Sequence, residues 1–276
     1  MQPRHSYLVC ATPRSGSTLF CEVLSNTNVA GRPKEYFEML KETGLPRQSH
    51  QYFETVAEAK TSILETLGNA PLNINSVWLA QQEGPDYAHY LAQVLEEGTT
   101  PSGVFGAKMM RGYFDDFIRF VRQIPAYTEL DVHQILTNIF PNLQYIWVTR
   151  RDKVRQAVSL WKAIQTQSWR EDQREEEPMQ SVRRPVFHFA AIKHLECQLI
   201  EHELAWQQYF AAYDIQPFVV VYEELLNNFE ATIRQTLQYL SISVHEHLMF
   251  TRSTMLRQAD AQSEEWVRQY HLIREG

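Results

Sequence analysis

The chain has 276 residues, 44% of them hydrophobic and 21% charged, which is the composition of an ordinary globular protein with one large core or two modest ones. A formal net charge of −7 argues against a nucleic-acid backbone as the partner. The three cysteines show no metal-binding spacing, and no apolar run reaches the length of a membrane span. No signal peptide precedes the first predicted strand, so the sequence predicts a reducing, cytoplasmic setting.

Residues 7–24 predict a strand, a tight loop and a helix in direct succession. Residues 7–11 form an apolar run typical of a buried parallel strand, and residues 12–17 combine Thr, Pro, Arg, Ser and Gly as turns do. From Thr18 onward, apolar residues recur at helical spacing. This geometry directs free backbone N–H groups and a helix N-terminus towards one anion.

The loop also has the side chains expected of an anion site. Gly16 lets the backbone approach a ligand closely, Arg14 adds a fixed positive charge, and Ser15, Ser17 and Thr18 add hydroxyl donors. A simpler interpretation is that the hydroxyls only cap the helix. An arginine together with three hydroxyls in four residues exceeds what a cap requires, and this favours the anion site.

The loop differs from the common nucleotide-binding and hydrolase motifs. No Lys precedes its hydroxyls as in a Walker A loop, and neither Gly-x-Gly-x-x-Gly nor Gly-x-Ser-x-Gly is present. It resembles instead the 5′-phosphosulfate loop of sulfotransferases, which bind 3′-phosphoadenosine 5′-phosphosulfate (PAPS). Many of those enzymes have Lys at the position of Arg14.

A second segment, residues 30–37, strengthens that resemblance. It reads Ala-Gly-Arg-Pro-Lys-Glu-Tyr-Phe, and with Arg-Ser-Gly-Ser-Thr-Leu-Phe at residues 14–20 it is similar to the Stf0-type family of bacterial sulfotransferases. The residues alone favour a solvated Glu35 in the first turn of a short helix. The resemblance implies instead that Glu35 is the general base, which takes the proton of an alcohol as its bond to sulfur forms.

The resemblance also implies an acceptor site around Glu35. Its other members would be Pro13, Arg32, Pro33, Lys34, Tyr36, Phe37 and Phe53. Family members that act on trehalose have Gln where this chain has Pro13, and residues 32–34 are more basic here. Both differences argue against trehalose and leave open an acidic or other polar acceptor. Phe53 could instead be a core residue, within a helix predicted over residues 53–67.

The predicted strand at residues 103–110 has Lys108 near its carboxyl end, where ligands of open α/β sheets bind. On the residues alone, Lys108 could extend to the surface instead. The strand resembles that of cytosolic sulfotransferases, in which Lys-Thr-His places a Lys near the transferred group and a His as base. Residues 108–110 read Lys-Met-Met, so the resemblance implies a catalytic Lys108 and leaves the role of base to Glu35.

A third predicted strand, residues 145–148, is followed by Arg150 and Arg151 and then by a helix over residues 154–161. The arrangement resembles the 3′-phosphate element of sulfotransferases, an Arg after a strand with a Ser two turns into the helix. The usual spacing selects Arg151, whereas the Stf0-type spacing selects Arg150 with Ser159, which we favour. The alternative is a solvated charge cluster at a helix start.

The last third of the chain adds two candidates. Residues 166–185 predict an exposed loop, residues 187–210 a helix and residues 218–222 a strand. Tyr222 begins a Tyr-Glu-x-Leu that resembles a sulfotransferase element whose Tyr lies near the nucleotide. Arg257 resembles the late basic residue that closes over the 3′-phosphate, and Ser263 predicts the N-cap of a final helix.

Strands that alternate with helices, without an evident linker, predict a single α/β domain over residues 1–276 with a central parallel sheet. The resemblance implies transfer of a sulfuryl group from PAPS to a hydroxyl of a sugar or other polar small molecule. No metal is expected, because Arg14, the loop amides and Lys108 can offset the negative charge. The alternatives are a P-loop-type small-molecule kinase and a non-catalytic nucleotide-binding protein. The sequence leaves a homodimer open.

Overall fold

The computed structural model describes residues 2–38, 49–56, 59–68, 87–169, 184–245, 248–250 and 261–276. These residues group into two compact units. The first unit falls within residues 1–39, 82–151 and 202–253, and the second within residues 40–81, 152–201 and 254–276. A single domain over residues 1–276 stays a prediction.

A four-stranded parallel sheet is the centre of the first unit. The strands lie in the order β2-β1-β3-β4, and every neighbouring pair is parallel. Their bounds are β1 His5–Ala11, β2 Val104–Met110, β3 Leu143–Thr149 and β4 Phe218–Val221. The predicted α/β class with a central parallel sheet is therefore confirmed, and the carboxyl ends of all four strands meet at one edge.

The helices account for most of the remaining described residues. In chain order they are α1 Ser17–Asn26, α2 Lys60–Leu67, α3 Tyr87–Gly98, α4 Arg111–Val121, α5 Val132–Ile139, α6 Lys153–Thr166, α7 Phe189–Ala212, α8 Tyr222–Asn227, α9 Phe229–Tyr239 and α10 Ala261–Glu275. Two short 3-10 helices span Ser49–Phe53 and Pro125–Tyr127. Helices α2, α6 and α10 belong to the second unit, and α7 contributes residues to both units.

The core of the first unit explains why β1 is apolar from Tyr7 onward. Residues 7–11 are fully buried, and all seven residues of β2 are buried as well. Side chains on both faces of a parallel sheet are covered, so alternation of polar and apolar residues disappears. Phe105 of β2 stacks on Phe140 with ring centroids 5.3 Å apart, and Phe140 in turn contacts Phe37 and Phe117.

The second unit has its own core, to which α6, α7 and α10 all contribute buried residues. Trp161 is fully buried at its centre, and Phe53 meets the Trp161 ring edge-on at 5.7 Å. The indole Nε1 of Trp161 donates to the carbonyl of Val186 at 2.8 Å, which satisfies its polar atom. Trp266 of α10 belongs to the same apolar cluster.

Three local predictions were wrong. No single helix spans residues 53–67, because Ala59 adopts a left-handed conformation and α2 begins only at Lys60. Tyr222 does not end the fourth strand but begins α8. Ser263 is not an N-cap, since α10 already begins at Ala261. Most of the predicted loop over residues 166–185 lies outside the described residues.

Within the described part of the chain, no helix combines the length and the apolar character needed to cross a membrane.

Candidate active site

The loop between β1 and α1 has the backbone of an anion cradle. Gly16 precedes α1 with φ 88°, and Arg14 also has a positive φ of 62°. No side chain caps the N-terminus of α1, so the simpler interpretation of the loop hydroxyls as helix caps is not supported. Ser15 is fully buried, and its Oγ makes no hydrogen bond among the described residues. A buried hydroxyl in such a loop is suited to a polar ligand.

Tyr222 closes against this loop from the end of β4. A Cβ at position 16 would overlap the Tyr222 ring, so only glycine allows the ring to lie there. The guanidinium of Arg150 lies over the same ring, 4.6 Å from its centroid, and donates to the carbonyl of Arg14 at 3.4 Å. The structure thus brings together the loop, Arg150 and Tyr222, although Gly16 and Tyr222 are more than 200 residues apart in the sequence.

The two neighbouring arginines have different surroundings. Arg150 is partly buried against the loop and Tyr222, with a cation–π contact. Arg151 has a 64% exposed side chain that forms an ion pair with Glu224, and its backbone N–H donates to Glu223 at 3.2 Å. Among the contacts described for these two arginines, the one with the loop belongs to Arg150.

The segment with Glu35 lies along the outer edge of the sheet. Lys34 forms a parallel bridge with Ala107, and its carbonyl accepts from the backbone N–H of Lys108 at 2.9 Å. Gly31 makes this approach feasible, because a Cβ there would lie 2.6 Å from the backbone nitrogen of Gly106, and its φ is 72°. Glu35 is accordingly not in a helix, and the predicted first-turn position was wrong.

Lys108 connects Glu35 with the loop helix. Its Nζ lies 2.6 Å from Oε1 of Glu35 and donates to Oγ1 of Thr18 at 2.9 Å. The Lys108 side chain is 5% exposed, so the alternative of a lysine extending to the surface is excluded, whereas Glu35 is 29% exposed. A buried ammonium requires such partners because its desolvation is costly. The carboxylate, the ammonium and the start of α1 form one hydrogen-bonded group.

Tyr113 is a member of this group that the sequence reasoning missed. It is buried in the first turn of α4, and its hydroxyl donates to the carbonyl of Lys108 at 3.2 Å and to Oε2 of Glu35 at 3.5 Å. Burial, with the nearby Glu35 charge, raises the pKa of Tyr113 well above its ordinary value, so its hydroxyl stays a donor. Its position shortly after Lys108 was the only available signal in the sequence.

Cys21 lies near the same group but is unsuited to nucleophilic chemistry. Burial raises its pKa to about 12, and the positive charge of Lys108 only partly opposes this shift. The thiol is thus protonated at neutral pH. Cys10 is buried too.

The basic residues predicted for the acceptor site have contacts of their own. Lys34 forms a 2.9 Å ion pair with Glu97, with both side chains more than half exposed, and Arg32 donates to the Glu97 carbonyl at 3.1 Å. The hydroxyl of Tyr36 donates to the carbonyl of Arg32 at 2.8 Å. The charge of Lys34 is therefore paired with a carboxylate, whereas Arg32 contacts a backbone carbonyl.

The other predicted acceptor residues lie in different environments. Phe37 is fully buried in the core of the first unit, where it packs on Phe117 at 4.5 Å. Pro33 is buried and Pro13 is partly exposed. Phe53 belongs to the core of the second unit, which was the alternative to a role in the acceptor site. Phe37 and Phe53 thus act in packing, since aromatic residues in a motif are often chosen for the core.

The two other candidates for the 3′-phosphate differ in whether the structure describes them. Ser159 is a partly buried residue of α6 in the second unit. Arg257 lies outside the described residues. Among the residues that the structure describes, no group of three His, Cys, Asp or Glu side chains is arranged to hold a metal ion.

A parallel sheet with a cationic, hydroxyl-rich loop after its first strand and a lysine on the adjacent strand is the arrangement of an α/β enzyme that transfers an anionic group. The Stf0 sulphotransferase family model matches residues 6–272 of the chain, and the protein belongs to this family. It is therefore a sulfotransferase, as predicted, and the kinase and non-catalytic alternatives are not favoured.

Two relatives extend over nearly the whole chain. A trehalose 2-sulfotransferase from Mycobacterium tuberculosis is 33% identical over 269 residues, covering 96% of this chain and 93% of that protein. One from Mycolicibacterium smegmatis is 30% identical over 271 residues, covering 96% and 94%. The structure is also similar to a sulfotransferase domain from the curacin biosynthetic pathway, at 12% identity and a TM-score of 0.46, over 98% of this chain and 99% of that one.

Proposed function

We propose that this sulfotransferase moves a sulfuryl group from PAPS to a hydroxyl group of a polar small molecule, with Glu35 as general base. The observation that carries the proposal is the position of Lys108, whose Nζ contacts both Glu35 and Thr18. One lysine thus joins a carboxylate suited to proton abstraction with the first turn of the loop helix.

The loop and its neighbours fit a phosphosulfate ligand. Ser15 offers a buried hydroxyl with no partner among the described residues, and the uncapped N-terminus of α1 offers backbone N–H groups. Arg14 and Lys108 add positive charge, which stabilises negative charge on the transferring and leaving groups. PAPS, when bound, supplies the sulfuryl group and leaves as adenosine 3′,5′-bisphosphate.

Glu35 is suited to accept the proton of an acceptor hydroxyl. Its side chain is partly exposed, so an acceptor hydroxyl can approach it, whereas Lys108 behind it is buried. Tyr113 donates to its second carboxylate oxygen, which fixes the orientation of the carboxyl group. A positioned carboxylate is needed because an alcohol is a weak nucleophile at neutral pH.

For the 3′-phosphate we propose Arg150. The contacts of Arg150 with Tyr222 and with the loop support this choice over Arg151, whose side chain is exposed and ion-paired with Glu224. Tyr222, which lies against Gly16, is the proposed contact for the nucleotide itself.

The proposed acceptor is a sugar or another polar small molecule with a free hydroxyl. Trehalose is the acceptor named for both relatives, and it is the first compound to test. The exposed edge formed by Arg32, Lys34 and Glu35, together with Pro13, is the proposed acceptor side of the site. Pro13 cannot donate or accept through its side chain, so we expect recognition of the acceptor to differ from that of trehalose-active relatives.

The test is a turnover assay with PAPS and a panel of acceptors that includes trehalose, other disaccharides and non-sugar alcohols. We expect an acceptor-dependent release of adenosine 3′,5′-bisphosphate and a sulfated product detected by mass spectrometry. ATP with Mg²⁺ in place of PAPS serves as the control and should give no phosphorylated product. Transfer from ATP but not from PAPS would refute the proposal.

A further inference from the structure

One face of α7 contacts the carboxyl ends of two neighbouring strands. The indole Nε1 of Trp206 donates to the carbonyl of Ala11 at 3.1 Å. One turn earlier, Oε1 of Glu203 accepts from the hydroxyl of Thr149 at 2.7 Å. Residues three apart on a helix lie on the same side of it, so both contacts come from one face.

The two contacted residues are the last of their strands. Ala11 ends β1 and Thr149 ends β3, and the two strands are paired directly, with Ala11 opposite Val148. Ala11 is followed at once by the loop of residues 12–16, and Thr149 is followed at once by Arg150. Each contact therefore holds the residue that precedes one of the two proposed anion-binding elements.

Both contacts are well fixed by their surroundings. Trp206 is 1% exposed and packs on Phe114 and Phe210, with ring centroids 5.0 and 5.8 Å away, so its indole has little freedom to turn. Ala11 is fully buried, and its carbonyl would lose a partner if the indole were removed. A hydrogen bond to a carboxylate, as between Thr149 and Glu203, is stronger than a neutral one.

We infer that Glu203 and Trp206 are positioning residues, which set the distance between the 5′-phosphosulfate loop and the arginine for the 3′-phosphate. The inference rests on the function proposed above. A ligand that has both phosphates gains from a preset spacing, because binding at one element then requires no rearrangement at the other. A ligand with only the 5′-phosphate gains nothing from that spacing.

The test compares the affinities of adenosine 3′,5′-bisphosphate and adenosine 5′-phosphate by calorimetry. In T149V, which removes the hydroxyl but keeps the size and β-propensity of the side chain, we expect the preference for the bisphosphate to fall about three- to tenfold. W206F should have a similar effect. E203Q keeps an oxygen acceptor and should retain most of the preference, whereas E203A should not.

T137V is the matched control, because the hydroxyl of Thr137 donates to the carbonyl of His133 within the exposed part of α5. It should bind both nucleotides as the wild type does. The midpoint of thermal unfolding shows whether each variant is folded. If W206F is unfolded, T149V still tests the inference.

The inference would be overturned if T149V and E203A kept the preference for the bisphosphate, or if they lost affinity equally for both nucleotides. Either result would leave the proposed function intact. A wild-type protein that binds both nucleotides equally would overturn the proposed 3′-phosphate site, and the inference with it.

Discussion

The ammonium of Lys108 lies 2.6 Å from the carboxylate of Glu35, at the junction between β2 and the segment that runs beside it. The pair combines a proton acceptor with a positive charge that the transfer of an anionic group requires. Since Lys108 also donates to Thr18, loss of the lysine is expected to affect the start of the loop helix as well, whereas a change at Glu35 is not.

Replacement of Lys108 by Met keeps the length and apolar stem of the side chain but removes its charge. We expect K108M to lower kcat about 10²- to 10³-fold, because a preorganised charge near the transferred group is lost. The matched control is K60M, since the Lys60 ammonium is exposed, donates to the backbone carbonyl of Glu54 at 3.1 Å and has no place in the proposed site. Steady-state kinetics with saturating PAPS provides the measurement. A K108M enzyme as active as K60M would exclude a catalytic Lys108.

Replacement of Tyr113 by Phe removes one hydroxyl that contacts both Glu35 and the Lys108 carbonyl. We expect kcat to fall about three- to tenfold while the affinity for adenosine 3′,5′-bisphosphate is unchanged, because the carboxylate loses an orienting donor. Y239F is a close control, as the Tyr239 hydroxyl also donates to a backbone carbonyl at 3.2 Å, that of Tyr145. An equal fall in both variants would show that Tyr113 acts only in folding.

Arg150 and Arg151 are expected to differ sharply. R150A should weaken binding of adenosine 3′,5′-bisphosphate about 10- to 150-fold, which corresponds to about 1.5–3 kcal/mol for a charge-assisted hydrogen bond. Binding of adenosine 5′-phosphate should change much less. R151A should bind both nucleotides almost normally, because its side chain is exposed. Calorimetry on both variants provides the measurement. A selective loss of affinity for the bisphosphate in R151A rather than in R150A would contradict this assignment.

The cysteines are expected to react unequally with iodoacetamide in the native protein. With its pKa raised to about 12, Cys21 is almost entirely protonated at pH 8, and Cys10 is buried as well. Cys197 is exposed. Peptide mapping should find label on Cys197 alone, and on all three residues after denaturation. Rapid native labelling of Cys21 would contradict its burial beside Lys108.

The strands and the loop could be predicted from the sequence because their signals are local. The apolar run of residues 7–11 and the turn residues that follow are sufficient to indicate a strand and an anion loop. The pairing of Glu35 with Lys108 is different, since 73 residues separate them in sequence and contacts such as the parallel bridge at Lys34 bring them together. Resemblance to a family suggested both residues, but not their contact.

The sequence alone could not distinguish two adjacent candidate residues or separate packing residues from site residues, because both depend on tertiary contacts. Arg150 and Arg151 are adjacent and of the same type, and it is their contacts, such as those with the Tyr222 ring and with Glu224, that distinguish them. Phe37 was placed at the acceptor site because it follows Glu35 in a motif, yet it packs in the core. Trp206 holds the end of β1 from a distance of 195 residues, which no local pattern indicates.

The most direct test of the account is the rate of sulfuryl transfer by E35Q. The amide has the shape of the carboxylate but cannot accept the proton of the acceptor hydroxyl, so kcat should fall about 10²- to 10⁴-fold. Binding of adenosine 3′,5′-bisphosphate should stay normal, and E38Q, with its exposed carboxylate on the same segment, should remain active. An E35Q enzyme that transfers the sulfuryl group at a rate near that of E38Q would contradict the role of Glu35 as the base.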